Sequence, residues 1–260
     1  MDLMLYTLPM AKIEFIQDAL TTSEALRFTN GRFSKSDEKV CREEIVHLYL
    51  NDRLLTKLVA SPMQYRELGA GFVISEGLAE RIDDVTVEGN TIYVYAQQAA
   101  ESAEYITESS GGSSSGMIRK TIDSTIAIDQ REVFTVINEI VSELWEKTGG
   151  AHCSVLFSQG ELITKSSDVG RHNTVDKVIG YAILNRIDPS SCVLGCTGRQ
   201  PVGMVSKAIN AGIPIIVTKA ATTYEGIALA QKAGLTLICR VKDDKFCVYT
   251  HPQRVRDLDV

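Results

Sequence analysis

The chain has 260 residues, of which 44% are hydrophobic, and a formal net charge of -6. It is long enough to bury a substantial core, as one large domain or as a core with a smaller companion, and its acidic balance argues against a general nucleic-acid binder, which would carry a basic surplus. No apolar run approaches the roughly 18 residues of a membrane helix. Asp2, Lys12, Glu14 and Asp18 also break up the first apolar pieces before a signal-peptide core can form, so a cytoplasmic protein without membrane contact is expected.

Residues 1–40 are mixed and polar, with a turn signal at Asn30-Gly31 and little sustained period, and read as an irregular N-terminal arm. From Glu44 the chain reads as two short strands about Asn51-Asp52, with His47 as a strand residue. Ser61 as N-cap and Pro62 at the first helical position open a helix that Leu68, Phe72 and Val73 continue. Strands around Val85 and Tyr93 meet at a Gly89-Asn90 hairpin turn. These elements make residues 41–120 a smaller α+β portion ending in a flexible loop, since Thr107 to Gly116 contains only small and polar residues and cannot contribute core.

Residues 121–260 have the pattern of an α/β core. A helix over 131–148 carries Val133, Val136, Ile137, Ile140, Val141 and Leu144 on one side and stops at Gly149-Gly150. Two strands follow about Gln159-Gly160, and His152 sits just before the first, where its side chain could reach a cleft. The string Asp168-Val-Gly-Arg-His-Asn-Thr-Val-Asp-Lys-Val-Ile-Gly180 comes next. Val175, Val178, Ile179, Ala182 and Ile183 give it helical spacing, with Asn173 or Thr174 as N-cap and Gly170, Arg171 and His172 on the turn before the helix. Strands at Cys192–Thr197, Ile213–Thr218, Leu235–Cys239 and Lys245–Tyr249 alternate with helices, the second opened by a capping box at Thr222 and Glu225. Such alternation implies crossover units, a mostly parallel sheet and helices on both faces.

A glycine-containing turn into a helix N-terminus favours an anion, because free backbone N–H groups and the positive end of the helix dipole face it. Arg171 would add a bidentate phosphate donor. Thr197, Gly198, Arg199, Lys219 and Thr222 fall on loops at strand ends, where α/β sheets bind ligands. Phosphate, a nucleotide or a polyanionic cofactor would suit this concentration. The six cysteines lie mostly among apolar neighbours and read as buried free thiols, with no C-x-x-C pair. The P-loop, G-x-G-x-x-G, G-x-S-x-G and zinc-deaminase signatures are all missing from the chain.

The Asp168–Gly180 string, together with Thr148-Gly-Gly-Ala-His152, Thr197-Gly-Arg199, Ala211-Gly-Ile-Pro214, Gly71-Phe-Val-Ile-Ser-Glu-Gly77 and Val248-Tyr-Thr-His-Pro252, resembles the formate dehydrogenase accessory sulfurtransferase family, FdhD. The resemblance runs from about Glu44 to the C-terminus. It implies a cytoplasmic homodimer with a three-layer α/β/α cytidine-deaminase-like core. It further implies binding of the bis-molybdopterin guanine dinucleotide cofactor of molybdenum or tungsten, and delivery of sulfur from a cysteine desulfurase to that cofactor before its insertion into formate dehydrogenase. The family's cofactor-contacting segment maps onto Phe246, Cys247, Val248, Tyr249, Thr250 and His251, and the nucleotide portion suits Gly170, Arg171, His172, Asn173, Thr197, Gly198 and Arg199. Family members carry the sulfur-accepting cysteine on the loop corresponding to Thr107–Gly116, where this chain has Ser109-Ser-Gly-Gly-Ser-Ser-Ser115. Ser110 and Ser113 are the candidates for the vacated position. A serine oxygen cannot hold a transferable sulfane sulfur. The implied alternatives are therefore a cofactor-binding chaperone without sulfur chemistry, or a relay through another thiol such as Cys247.

Overall fold

Apolar alternation and two-residue turns account for most of the strands in the computed structural model, which describes residues 16–97, 106, 107, 113, 114, 118 and 120–256. Chain order is β1 (Leu20–Thr29), β2 (Arg32–Cys41), β3 (Glu44–Leu50), β4 (Arg53–Ala60), α1 (Tyr65–Ser75), β5 (Asp84–Glu88), β6 (Thr91–Tyr95), β7 (Ile106–Thr107) and β8 (Ser113–Ser114). The second half holds α2 (Gln130–Glu139), α3 (Glu143–Thr148), β9 (His152–Ser158), β10 (Glu161–Asp168), α4 (Arg171–Leu184), β11 (Cys192–Cys196), α5 (Val202–Ala211), β12 (Ile215–Thr218), α6 (Tyr224–Ala233), β13 (Thr236–Lys242) and β14 (Lys245–Thr250). Among the described residues, no helix is long and apolar enough to cross a membrane.

The described part of the N-terminal arm is not irregular. Residues 20–41 form an antiparallel hairpin, β1 on β2, about Asn30 and Gly31, both at positive φ. Its faces stay largely exposed, so the sequence lacks the apolar alternation of a half-buried strand. The hairpin is held instead by cross-strand pairs, including Arg27–Glu38, Lys35–Glu24 and the tilted Phe28–Phe33 contact. The small-residue loop is likewise not wholly open, because Ile106 pairs with Ser114 and Thr107 with Ser113. Of Ser113 only the backbone is described, and Ser110 lies outside the described residues.

Strands β4-β3-β6-β5 form one sheet, with α1 packed on it through Leu68, Phe72 and Val73. The second sheet has the order β10-β9-β11-β12-β13-β14. Only β11–β12 and β12–β13 run parallel, so this sheet is mixed and not mostly parallel. Helical crossovers keep direction, whereas the short connections of the β9–β10 and β13–β14 hairpins reverse it. Helices α4, α5 and α6 cover one face and α2 the other, giving the layered α/β arrangement expected. The two portions meet where α1 crosses α4. Gly71 and Gly180 lie at the crossing, and a Cβ on either would overlap the other helix's backbone.

Several helix boundaries differ from the sequence reading. The helix expected at Ser61 begins at Tyr65, because the Ser61 hydroxyl is engaged by Val169 N at 3.2 Å and cannot cap. The helix expected over 131–148 is two helices. The Ser142 hydroxyl accepts from Trp145 N at 3.2 Å and caps a new segment, α3. Thr223, one residue later than expected, caps α6 by accepting from Gly226 N, so Glu225 completes no capping box.

Candidate functional site

β10 delivers Asp168 to a fully buried position, where its carboxylate organises the turn into α4. It accepts from Ser61 N (3.0 Å), Gly170 N (2.8 Å), Asn173 Nδ2 (2.9 Å) and Lys177 Nζ (2.6 Å). Lys177 is itself fully buried, so this is an ion pair shielded from water. The N-cap of α4 is Gly170 and not Asn173 or Thr174. The side chains of both residues are already committed. Asn173 donates to Asp168 and to Val59 O (2.8 Å), and the Thr174 hydroxyl bonds Ser154 (2.7 Å) and Arg171 O (2.8 Å). Arg171 and His172 thus open the first helical turn instead of preceding it. Asn173 serves as a brace.

The Thr197–Arg199 turn meets this helix start. Gly198 lies so close to the Arg171 stem that a Cβ there would stand 2.9 Å from Arg171 Cδ. Gly198 O is held by Thr218 Oγ1 (2.9 Å) and Gln200 Nε2 (2.8 Å), which fixes the turn from beneath. Thr197 Oγ1 accepts from Cys153 N (3.1 Å) and lies 3.0 Å from His152 Nδ1. Burial, and then the Arg171 cation, push the His152 imidazole below its ordinary value, which favours the neutral ring at pH 7. Arg199 is exposed.

Two cavities share His152 and Val169 as a common wall. One, of about 610 Å³, is lined by residues including Trp145, Gly150, Thr197 and Lys219. The other, of about 330 Å³, takes Lys57, Arg171, His172 and Asn173 into its walls, with Asp176 and Lys207 at its inner end. These last two belong to a buried charge cluster between α1, α4 and α5. Lys207 Nζ contacts Asp176 Oδ1 (2.8 Å), Glu76 Oε1 (2.6 Å) and the Ser75 hydroxyl (3.1 Å), and stands 5.0 Å from the centre of the Phe72 ring. Burial pushes the Asp176 carboxyl up against the pull of Lys207. Burial also works against the Lys207 ammonium, but Asp176 and Glu76 outweigh it and hold that group above its ordinary value.

Gly170, Arg171, His172, Asn173, Thr197 and Gly198 therefore converge, while Phe246–His251 runs along the edge strand two strands beyond β12. Phe246 packs edge-on to Phe134 at 5.8 Å on the α2 face, and Val248 joins the same cluster. Cys247 is exposed opposite the buried Cys239, and Tyr249 packs on the α6 side. Thr250 and His251 lie at the other end of the sheet, where Thr250 Oγ1 donates to Leu235 O (2.6 Å) and His251 Nε2 lies 3.0 Å from Gln231 O. Among the described residues there is no group of three or more His, Cys, Asp or Glu that could hold a metal ion. The sequence marks His152 singly, just before its strand, and Lys219 together with the other strand-end residues. Trp145, which also lines the larger cavity, is not among the residues that the sequence marks.

Known proteins with similar sequences agree on one family. A protein of Wolinella succinogenes named sulfur carrier protein FdhD is 33% identical over 85% of this chain and 84% of its own length. Its namesake from Sulfolobus acidocaldarius is 34% identical over 87% of this chain and 94% of its own. The crystal structure of a putative formate dehydrogenase accessory protein from Desulfotalea psychrophila superposes with a TM-score of 0.79 and 28% identity, covering 91% of this chain and 99% of that one. Residues 41–256, from the end of β2 to past β14, match the FdhD/NarQ family along their whole length, and the chain belongs to it.

Proposed function

We propose that this chain is an accessory protein for formate dehydrogenase that binds the bis-molybdopterin guanine dinucleotide cofactor, of molybdenum or tungsten, as cargo. It does so in the cytoplasm as a homodimer. The observation that carries this reading is the convergence of Arg171, His172 and the Thr197–Gly198 turn at the α4 N-terminus, beside two adjacent cavities. The positive end of the α4 dipole and the Arg171 guanidinium suit the diphosphate of such a cofactor. The relatives named sulfur carrier proteins and the neighbour named a formate dehydrogenase accessory protein support the general role.

For sulfur, the side chains favour a carrier that does no transfer of its own. The Ser109–Ser115 loop has no thiol. Burial pushes Cys192 and Cys196 up to about 11 and raises Cys239 as well, which suppresses the thiolate needed for attack. A second reading rests on Cys247, which is exposed and lies on the segment that the family resemblance associates with the cofactor. Its thiolate would attack the sulfane sulfur of a cysteine desulfurase persulfide. The desulfurase thiolate would leave, and a Cys247 persulfide would form.

The test has two arms. Calorimetry with GDP should show binding that Arg171→Ala weakens by about tenfold, the loss of one charge-assisted contact, and an unchanged affinity would remove Arg171 from the site. Incubation with a cysteine desulfurase and sulfur-35 cysteine should leave no reductant-labile label on the chain. Label that Cys247→Ser abolishes would establish the second reading instead. If either Ser110→Cys or Ser113→Cys acquires label, the loop position is identified.

A further inference from the structure

Trp145 is half exposed, at 50% of its maximum, although it sits in a helix whose neighbouring Leu144 is fully buried. The fold is served by Leu144 and by the cap at Ser142, so the indole is not needed as a core anchor. The helix ends immediately afterwards. Gly149 N bonds Trp145 O at 2.6 Å and Gly149 takes a positive φ of 65°, which ends the helix, and Trp145 lines the larger cavity. The other walls combine apolar Ile140 and Val141, the His152 imidazole, the Thr197 hydroxyl and the Lys219 ammonium, with no carboxylate among the described lining residues. A volume of about 610 Å³ lies within the range of small-molecule sites. A flat aromatic face with a nearby cation and hydroxyl suits a planar heterocycle joined to an anion.

We propose that Trp145 is the stacking platform for the base of a nucleotide, seated in the larger cavity with its phosphates directed past His152 towards Arg171. This deepens, and rests on, the cofactor-cargo reading, for it names where the nucleotide end of that cargo lies. His152 and Val169 line both the aromatic cavity and the Arg171 cavity, so the two lie side by side and a ligand reaching from one towards the other would pass His152. Arg171 and Lys57 supply cations on the phosphate side, in a cavity whose lining also holds Glu43, Asp176 and Lys207. Stacking on an indole tolerates many bases, so Trp145 supplies affinity, and base choice is left to groups around it.

The chain contains one tryptophan, so its emission reports on this position alone. The experiment titrates the full chain with GDP and with ribose 5-phosphate, which lacks a base, and follows tryptophan emission and heat in parallel. GDP should quench the emission with the midpoint found by calorimetry, and ribose 5-phosphate should leave the emission unchanged. Trp145→Ala should weaken GDP binding by about tenfold or more, while Trp145→Phe, which keeps an aromatic face, should retain most of the affinity. Saturable calorimetric binding of GDP without any change in emission would overturn the proposal and leave the cargo reading standing, as would undiminished affinity in Trp145→Ala. No binding of GDP to the unaltered chain would overturn both. If the alanine variant does not fold, the emission titration and the phenylalanine variant still decide.

Discussion

Alanine at Gly180 sets two effects of opposite sign against each other. In a helix interior alanine is favoured over glycine by about 1 kcal/mol, so the substitution would stabilise a free-standing α4. Here the added methyl group would overlap the Glu67 carbonyl oxygen and stand 2.8 Å from Gly71 N, both of them backbone atoms of α1. Backbone cannot rotate aside as a side chain can, so α1 and α4 would have to part by on the order of 1 Å. Overpacking of this kind costs about 1–3 kcal/mol, and the rigidity of the obstruction puts Gly180 at the upper end. The separation would also lengthen the contacts of Lys207 with Asp176 and Glu76, which bridge the same helices. The expected net loss is about 2 kcal/mol after the helical gain is subtracted. Urea unfolding followed by circular dichroism measures it directly from the midpoint at constant slope. A variant as stable as the parent, or more stable, would refute the close crossing of α1 and α4.

Lys177→Met keeps the length of the side chain but leaves Asp168 buried without its cation, and should cost about 3–5 kcal/mol in the same unfolding experiment. A loss below about 1 kcal/mol would show that the pair does not brace the turn. His152 gives a pH dependence. Its folded-state value lies below the ordinary 6.5, so the folded chain binds fewer protons than the unfolded one. The contribution of the neutral ring is complete above pH 6.5 and is lost as pH falls from there through the folded-state value. His152→Gln should therefore flatten the acid limb of the stability curve below pH 6.5 and leave its shape above unchanged. Identical acid limbs in the two proteins would contradict the assignment.

Periodicity exposed α4, α5, α6 and the strands between them, because each buries one apolar face in a way that a window of a dozen residues registers. It misplaced the start of α4. Asn173 and Thr174 are residue types that cap helices, but which group a short polar side chain bonds is decided by partners far along the chain, here Val59 and Ser154. The β1–β2 hairpin was hidden because it buries little, and only its Asn30-Gly31 turn was visible. At α2, Asp129 and Glu132 form a capping box that local spacing could have revealed. The site was legible in its parts. Arg171 and Gly198 were each marked by strand-end position, but the approach of His152 to Thr197, 45 residues on, depends on sheet order and register. The joining of Ser75, Glu76, Asp176 and Lys207 needed three helices to be placed at once.

That buried cluster also has a bearing on how the smaller portion finds its seat. A slide of α1 along α4 would already bring residues that carry a Cβ against the opposing backbone at the Gly71–Gly180 crossing. Lys207 adds a second constraint. If α1 were shifted by one turn, Glu76 would leave the ammonium and become a carboxylate without a counterion in the interior, a state costing several kcal/mol. The charges thus act as a registration pin, rejecting misaligned assemblies more strongly than they reward the correct one.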